Sequence, residues 1–220
     1  MSSHLRKNLE QIEQQLLSLA TRVEEAVRCS VTALLERRVE LAQDVISRDH
    51  SIDKAEVELE EECLKALALH QPVATDLRFV AACLKINNDL ERIGDLAANI
   101  GKRAISLAAW PDFLVPSLIS DMVDDGSRML RESIDAFIQG DARLARRVCE
   151  QDDRVDQSNR RVIAQLLESM HEDPERIDPA LELISAAKSL ERIADHATNI
   201  AEDVVYLVEG DIIRHNLDEG

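Results

Sequence analysis

The chain has 220 residues, 45% of them hydrophobic and 31% charged, with a net charge of −17. That length buries a substantial core and accommodates one domain or two modest ones. So acidic a balance repels phosphate backbones, and no basic stripe interleaved with aromatics offsets it; cations or basic protein surfaces are the expected partners, not nucleic acid.

The aromatics are Phe79, Phe113, Phe137, Trp110 and Tyr206 alone, so the interior must be built from Leu, Ile, Val and Ala. That suits interleaved helices better than sheets, and the expected class is all-α. Cys29, Cys63, Cys83 and Cys149 are scattered, with no Cys-x-x-Cys and no Cys/His cluster. They read as small apolar residues with reduced thiols, which points to an intracellular protein. The start, Met1 to Lys7, leads into a charged amphipathic pattern, and no segment approaches the ~18 apolar residues of a membrane span.

Taken in order, the first element is a long helix. Leu5, Leu9, Ile12, Leu16, Leu19, Val23 and Ala26 hold a heptad seam that continues through Val27, Val31 and Leu34. A second helix buries Ile52, Ala55, Leu59, Cys63 and Leu67 beside an acidic row of Asp49, Asp53, Glu56 and Glu60. It ends near His70-Gln71-Pro72, with Pro72 expected in the first turn of a third helix. In that third helix Leu90, Ile93, Ala97 and Ile100 form the apolar stripe, while Glu91, Asp95 and Asn99, one turn apart each, form a row of oxygen-bearing side chains on another face. Residues 110–116 carry two prolines and no helical period; they read as the linker between a first bundle, 1–109, and a second, 117–220. Three more helices are expected. The fifth opens after Gly140, and the sixth at Asp178-Pro179, with Asp as N-cap and Pro at the first helical position.

The two halves repeat each other. Leu90-Glu91-Arg92-Ile93-Gly94-Asp95 with Ala97, Asn99 and Ile100 returns as Leu190-Glu191-Arg192-Ile193-Ala194-Asp195 with Ala197, Asn199 and Ile200. In a weaker copy, Val27, Val31, Leu34, Leu35, Val45, Asp49 and Asp53 correspond to Leu130, Ile134, Phe137, Ile138, Val148, Asp152 and Asp156. The expectation is two tandem, internally duplicated three-helix bundles, six helices in all.

Each half therefore brings an Asp-x-x-x-Asp pair on its second helix to a Glu-x-x-x-Asp pair on its third. Residues one turn apart lie ~5–6 Å from each other at Cβ, and neighbouring helices pack ~8–10 Å apart, so the pairs are able to converge on an ion or a small cluster. Oxygen ligands without Cys or His select Mg²⁺, Mn²⁺, Ca²⁺ or iron over structural zinc, and Asn99 and Asn199 would add neutral oxygens. A solvated helix face is the ordinary explanation of any one such pair, and at this stage both readings stand; recurrence at matching positions in both halves favours the metal. Arg92 and Arg192 read as ion-pair partners of the row, and His196 as a surface histidine. Gly94 costs about 1 kcal/mol against Ala in mid-helix and reads as a close helix contact. Glu168-Ser169-Met170-His171 is a single Glu-x-x-His where a di-iron bundle needs two. No phosphate loop, nucleophile elbow or His-Glu-x-x-His occurs, so the chain does not read as an enzyme.

Four motifs in order, Pro72-xxx-Asp76-Leu77-Arg78, Glu91-Arg92-Ile93-Gly94-Asp95 with Asn99-Ile100, its second copy, and Tyr206-xxx-Gly210-xxx-Arg214-His215, together resemble the PhoU family of phosphate-specific transport accessory proteins. The resemblance covers essentially the whole chain. It implies a cytoplasmic negative regulator of phosphate uptake and phosphate-starvation signalling, an adaptor between the Pst phosphate transporter ATPase and the PhoR sensor histidine kinase. It further implies surface clusters of iron or zinc held by Asp49, Asp53, Glu91 and Asp95 in one half and by Asp152, Asp156, Glu191 and Asp195 in the other. Asp76 and Arg78, which have no counterpart in the second half, become candidate partner contacts. A homodimer is the expected assembly. The alternative is a metal-storing or di-metal carboxylate bundle.

Overall fold

The computed structural model describes residues 3–210; Arg214 and His215 of the terminal motif lie outside them. The first half is α1 (Ser3–Glu36), α2 (Val39–His70) and α3 (Ala74–Leu107), and the second α4 (Ser117–Gln139), α5 (Ala142–Cys149), α6 (Asp152–Glu172) and α7 (Ile177–Glu209). The α1 seam is buried at Leu5, Ile12, Leu16, Leu19 and Val23 as its spacing demands.

The fifth rod is broken into α5 and α6. At the break, the Gln151 side-chain amide donates back to the Arg147 carbonyl at 3.1 Å and to Glu132 at 3.0 Å, which takes an acceptor out of the helical ladder. Two helix starts differ from expectation. Gln71 adopts a left-handed conformation (φ 45°), so Pro72 stays in the connector and α3 opens only at Ala74. The last rod begins earlier than Asp178-Pro179, with a 3-10 turn at Pro174–Arg176 whose cap is Asp173, its carboxylate accepting from the Glu175 N–H at 3.0 Å. The Asp-Pro signal is real; the pair that opens the rod is Asp173-Pro174, and Asp178 lies in the first turn of α7. The start after Gly140 is as expected: Gly140 turns at φ 60°, and Asp141 accepts from the N–H groups of Arg143 and Leu144 at 2.9 and 3.0 Å.

α3 and α7 form the centre and run antiparallel. Lys85 pairs with Asp203 at 2.8 Å, Asp89 meets His196 at 2.8 Å and Asn199 at 3.3 Å, and Arg103 pairs with Glu182 at 3.0 Å. The contacts run up one helix as they run down the other, so the two halves are related by an approximate twofold rotation about the middle of this crossing. Alanines at 82, 97, 104, 186, 187, 194, 197 and 201 are buried here, and one continuous core joins both halves. Burial pushes the Cys63 and Cys149 thiols up to about 12 and that of Cys83 up as well, which makes them inert; Cys29 is half-exposed. Among the described residues no helix is long and apolar enough to cross a membrane.

Candidate metal centres

The first centre lies along the α2–α3 contact. A Cβ at Gly94 would stand 3.1 Å from Ile52 Cγ2 and 3.7 Å from Asp49 Oδ1, and one at Gly101 would stand 3.3 Å from the Ala42 carbonyl. The glycines let α2 lie close on α3, which is the role expected of Gly94, and this closeness sets the two acidic rows against each other. Burial, then the charges of Asp53 and Asp95, raise the Asp49 pKa, with Lys102 opposing. Burial, then Asp95, raise that of Glu91, with Arg92 opposing and Asp53 and Glu56 adding to the rise. Asp49, Asp53, Glu91 and Asp95 thus act on one another across the helix pair. Glu56 belongs with them: burial, then Glu60 and Asp53, raise it, and Asn87 holds its carbonyl at 2.9 Å and its carboxylate at 3.2 Å. Its signal was in the sequence, one turn beyond Asp53. Asn99 accepts from Lys102 at 3.4 Å.

The second centre has the same plan on α6 and α7. Asp152 and Asp156 occupy the first two turns of α6, and Glu191 and Asp195 face them from α7. Burial, then the charges of Asp152, Glu191 and Asp156, push the Asp195 carboxyl up to about 6, with His196 opposing. Burial and Asp156 raise Asp152, while the Thr198 hydroxyl, 3.4 Å away, opposes.

The centres differ in their cations. Arg92 lies 3.4 Å from both Glu91 and Asp95, the pairing expected of it. Arg192 makes no such pair among the described residues; in the second quartet the arginine is Arg160, 3.2 Å from Asp156 on the same helix, while Glu191 and Asp195 have none. One further expectation is corrected. His196 is no surface residue; its side chain is 17% exposed and bonds Asp89 across the α3–α7 crossing. The Asn199 amide N–H donates to the same Asp89 at 3.3 Å.

As a donor set the quartets suit hard cations. Carboxylates held together against their own repulsion gain from an ion placed among them, and no thiolate or imidazole competes within the rows. Among the described residues no three His, Cys, Asp or Glu side chains already surround one ion position. The rows are aligned, not caged.

Away from the quartets, Asp76 is half-buried in the first turn of α3. Arg78 lies against Gly210 at the end of α7, 3.4 Å from where a Cβ would stand, and its Nε is buried without a partner among the described residues.

The PhoU domain model matches the chain twice, over residues 16–104 and 119–204. The chain belongs to the PhoU family. Each match spans one structural half and contains one quartet. A phosphate-specific transport system accessory protein PhoU homolog of Aquifex aeolicus is 42% identical over 209 residues, covering 95% of each chain. One from Pseudomonas putida is 40% identical over 98% of this chain and 84% of its own. The crystal structure of PhoU from Pseudomonas aeruginosa superimposes with a TM-score of 0.91 at 39% identity, covering 94% of this chain and 99% of that one. That of the phosphate transport system regulatory protein PhoU from Streptococcus pneumoniae does so with a TM-score of 0.88 at 30% identity, covering 94% and 98%.

Proposed function

We propose that this PhoU-family chain is a cytoplasmic, non-enzymatic regulator of phosphate-specific transport, working through protein contact and not turnover. The observation that carries the reading is the full-length match to phosphate-specific transport accessory proteins, with both halves and all six rods included. Its partners in this reading are the Pst transporter ATPase and the PhoR sensor kinase, whose starvation response it restrains when phosphate is plentiful. The chain works as a homodimer. The two quartets hold divalent or trivalent ions, iron or zinc by family resemblance and Mg²⁺ or Mn²⁺ by donor chemistry. Glu56 stands beside Asp49, Asp53, Glu91 and Asp95 as a further ligand of the first centre.

Deleting the gene should make phosphate-starvation responses constitutive, read as reporter expression in high phosphate. Asp76→Ala should reproduce this with helicity and metal content unchanged. Arg78→Ala tests the same contact less cleanly, because Arg78 also packs against Gly210. Normal repression in the deletion strain, with no paralogue to compensate, would overturn the adaptor reading. The duplicated carboxylate quartets favour one other reading, a metal-storing or di-metal bundle. Metal-dependent turnover, or accumulation of many ions per chain, would establish that one instead.

A further inference from the structure

We infer that the two ends of the molecule are equivalent docking surfaces for two copies of one protein partner, each contact an apolar surface flanked by lysine or arginine. The inference rests on the adaptor reading only for the identity of that partner.

The exposed large apolar side chains are not scattered. One end, where α2, α4 and α7 finish and α3 starts, carries Leu64, Leu69, Val73, Leu77, Ile138 and Val208. The Phe79–Phe137 ring contact at 6.0 Å and the approach of Val208 to Gly140 tie these elements together there. The opposite end, where α1, α3 and α6 finish and α7 starts, carries Leu35, Leu114, Leu167, Ile177 and Leu181. Arg37 joins α1 to the linker at this end by donating to the carbonyls of Pro111 and Phe113. Val57, in mid-α2, is the exception.

Three residues of each set are copies. In the register that matches Asp49 with Asp152, Leu64 answers to Leu167 and Leu35 to Ile138. In the register that matches Glu91 with Glu191, Leu77 answers to Ile177. Because the halves run antiparallel, each end receives two members from one half and one from the other: Leu64, Leu77 and Ile138 at one end, Leu167, Ile177 and Leu35 at the other. All six are between 37% and 52% exposed. Packing inside the chain does not require an exposed residue to stay apolar in both copies, while the core-facing repeat is explained by burial. A shared external contact accounts for it.

Charge and closure select the occupant. Glu61, Glu62 and Asp76 rim the first end, where Lys65 pairs with the two glutamates, and Glu168, Glu172, Glu175 and Asp178 the second, where Arg176 pairs with Glu172; acids outnumber bases in both rims, so the complementary surface is basic around an apolar centre. A second copy of this acidic chain is a poor match. Equivalent patches at opposite ends would also leave one free at each terminus of any such assembly, which grows into a filament and does not close. A homodimer formed through another face leaves both ends available.

The test uses the full chain and two probes. In isothermal titration with an amphipathic Leu/Lys helical peptide, wild type should show two equivalent sites. A Ser/Lys peptide of the same charge should show none. Leu64→Ser with Leu77→Ser and Ile138→Ser should leave one site, as should Leu35→Ser with Leu167→Ser and Ile177→Ser; all six together should leave none, with unchanged circular dichroism. In native mass spectrometry the Pst ATPase subunit should follow the same two, one, none pattern. If the peptide pattern holds while the ATPase does not bind, the docking surfaces stand and the partner named above falls. No peptide binding, a stoichiometry that ignores these variants, or self-association of wild type lost in either triple variant would overturn the inference.

Discussion

At the residue scale, Asp195 concentrates the electrostatic cost of the second quartet. Its carboxyl is raised from 3.8 to about 6 by burial and by Asp152, Glu191 and Asp156. Between those pH values the folded state holds a proton that the unfolded state has released, so this group's contribution to stability falls as pH rises through the window. In chelator, the thermal midpoint of wild type should therefore drop more steeply from about pH 4 to pH 7 than that of Asp195→Asn, in which the titrating group is gone. Equal slopes would mean that the neighbouring carboxylates do not hold a proton on Asp195. The same proton competes with a cation, so metal affinity at this centre should weaken below about pH 6.

At the scale of elements, the chain reuses one device, an aspartate accepting from N–H groups of the first helical turn. Asp141 does this for α5 and Asp173 for the turn that leads into α7. Replacing Asp173 by Ala should cost about 1 kcal/mol in urea unfolding, whereas Asp178→Ala, expected from sequence to be the larger loss, should cost a few tenths at most. The reverse order would return the helix start to Asp178-Pro179. Both Asp-Pro pairs satisfy the local rule; which one opens the rod depends on where α6 ends and hands the chain to α7, which is a tertiary matter.

At the scale of the whole molecule, the quartets are separate sites on one shared core. Glu91→Ala with Asp95→Ala should remove metal from one half only, measured by elemental analysis of protein purified without chelator. Unchanged stoichiometry would overturn the assignment of the first centre. Chelation should leave the helical circular dichroism intact, because the α1 seam and the α3 and α7 stripes are buried by apolar packing to which the quartet carboxylates contribute nothing. Cooperative unfolding on chelation would make the metal structural, as in a zinc finger.

Much of this was legible in one dimension, and the limits have a physical cause. Hydrophobic spacing determined the helices and their buried faces, since Ile93 and Ile193 or Leu16 and Val23 have no alternative to burial once the chain is helical. Duplication determined that Glu191 and Asp195 take the helix face that Glu91 and Asp95 take. Periodicity is local, though, and says which face a residue takes without saying what stands opposite. Only the antiparallel crossing of α3 on α7 decided that His196 and Asn199 turn to Asp89, that Arg78 reaches the end of α7, and that matching apolar residues collect at opposite ends of the molecule. Those contacts join residues about a hundred positions apart. They come from how two amphipathic halves bury one core, which no single helix encodes.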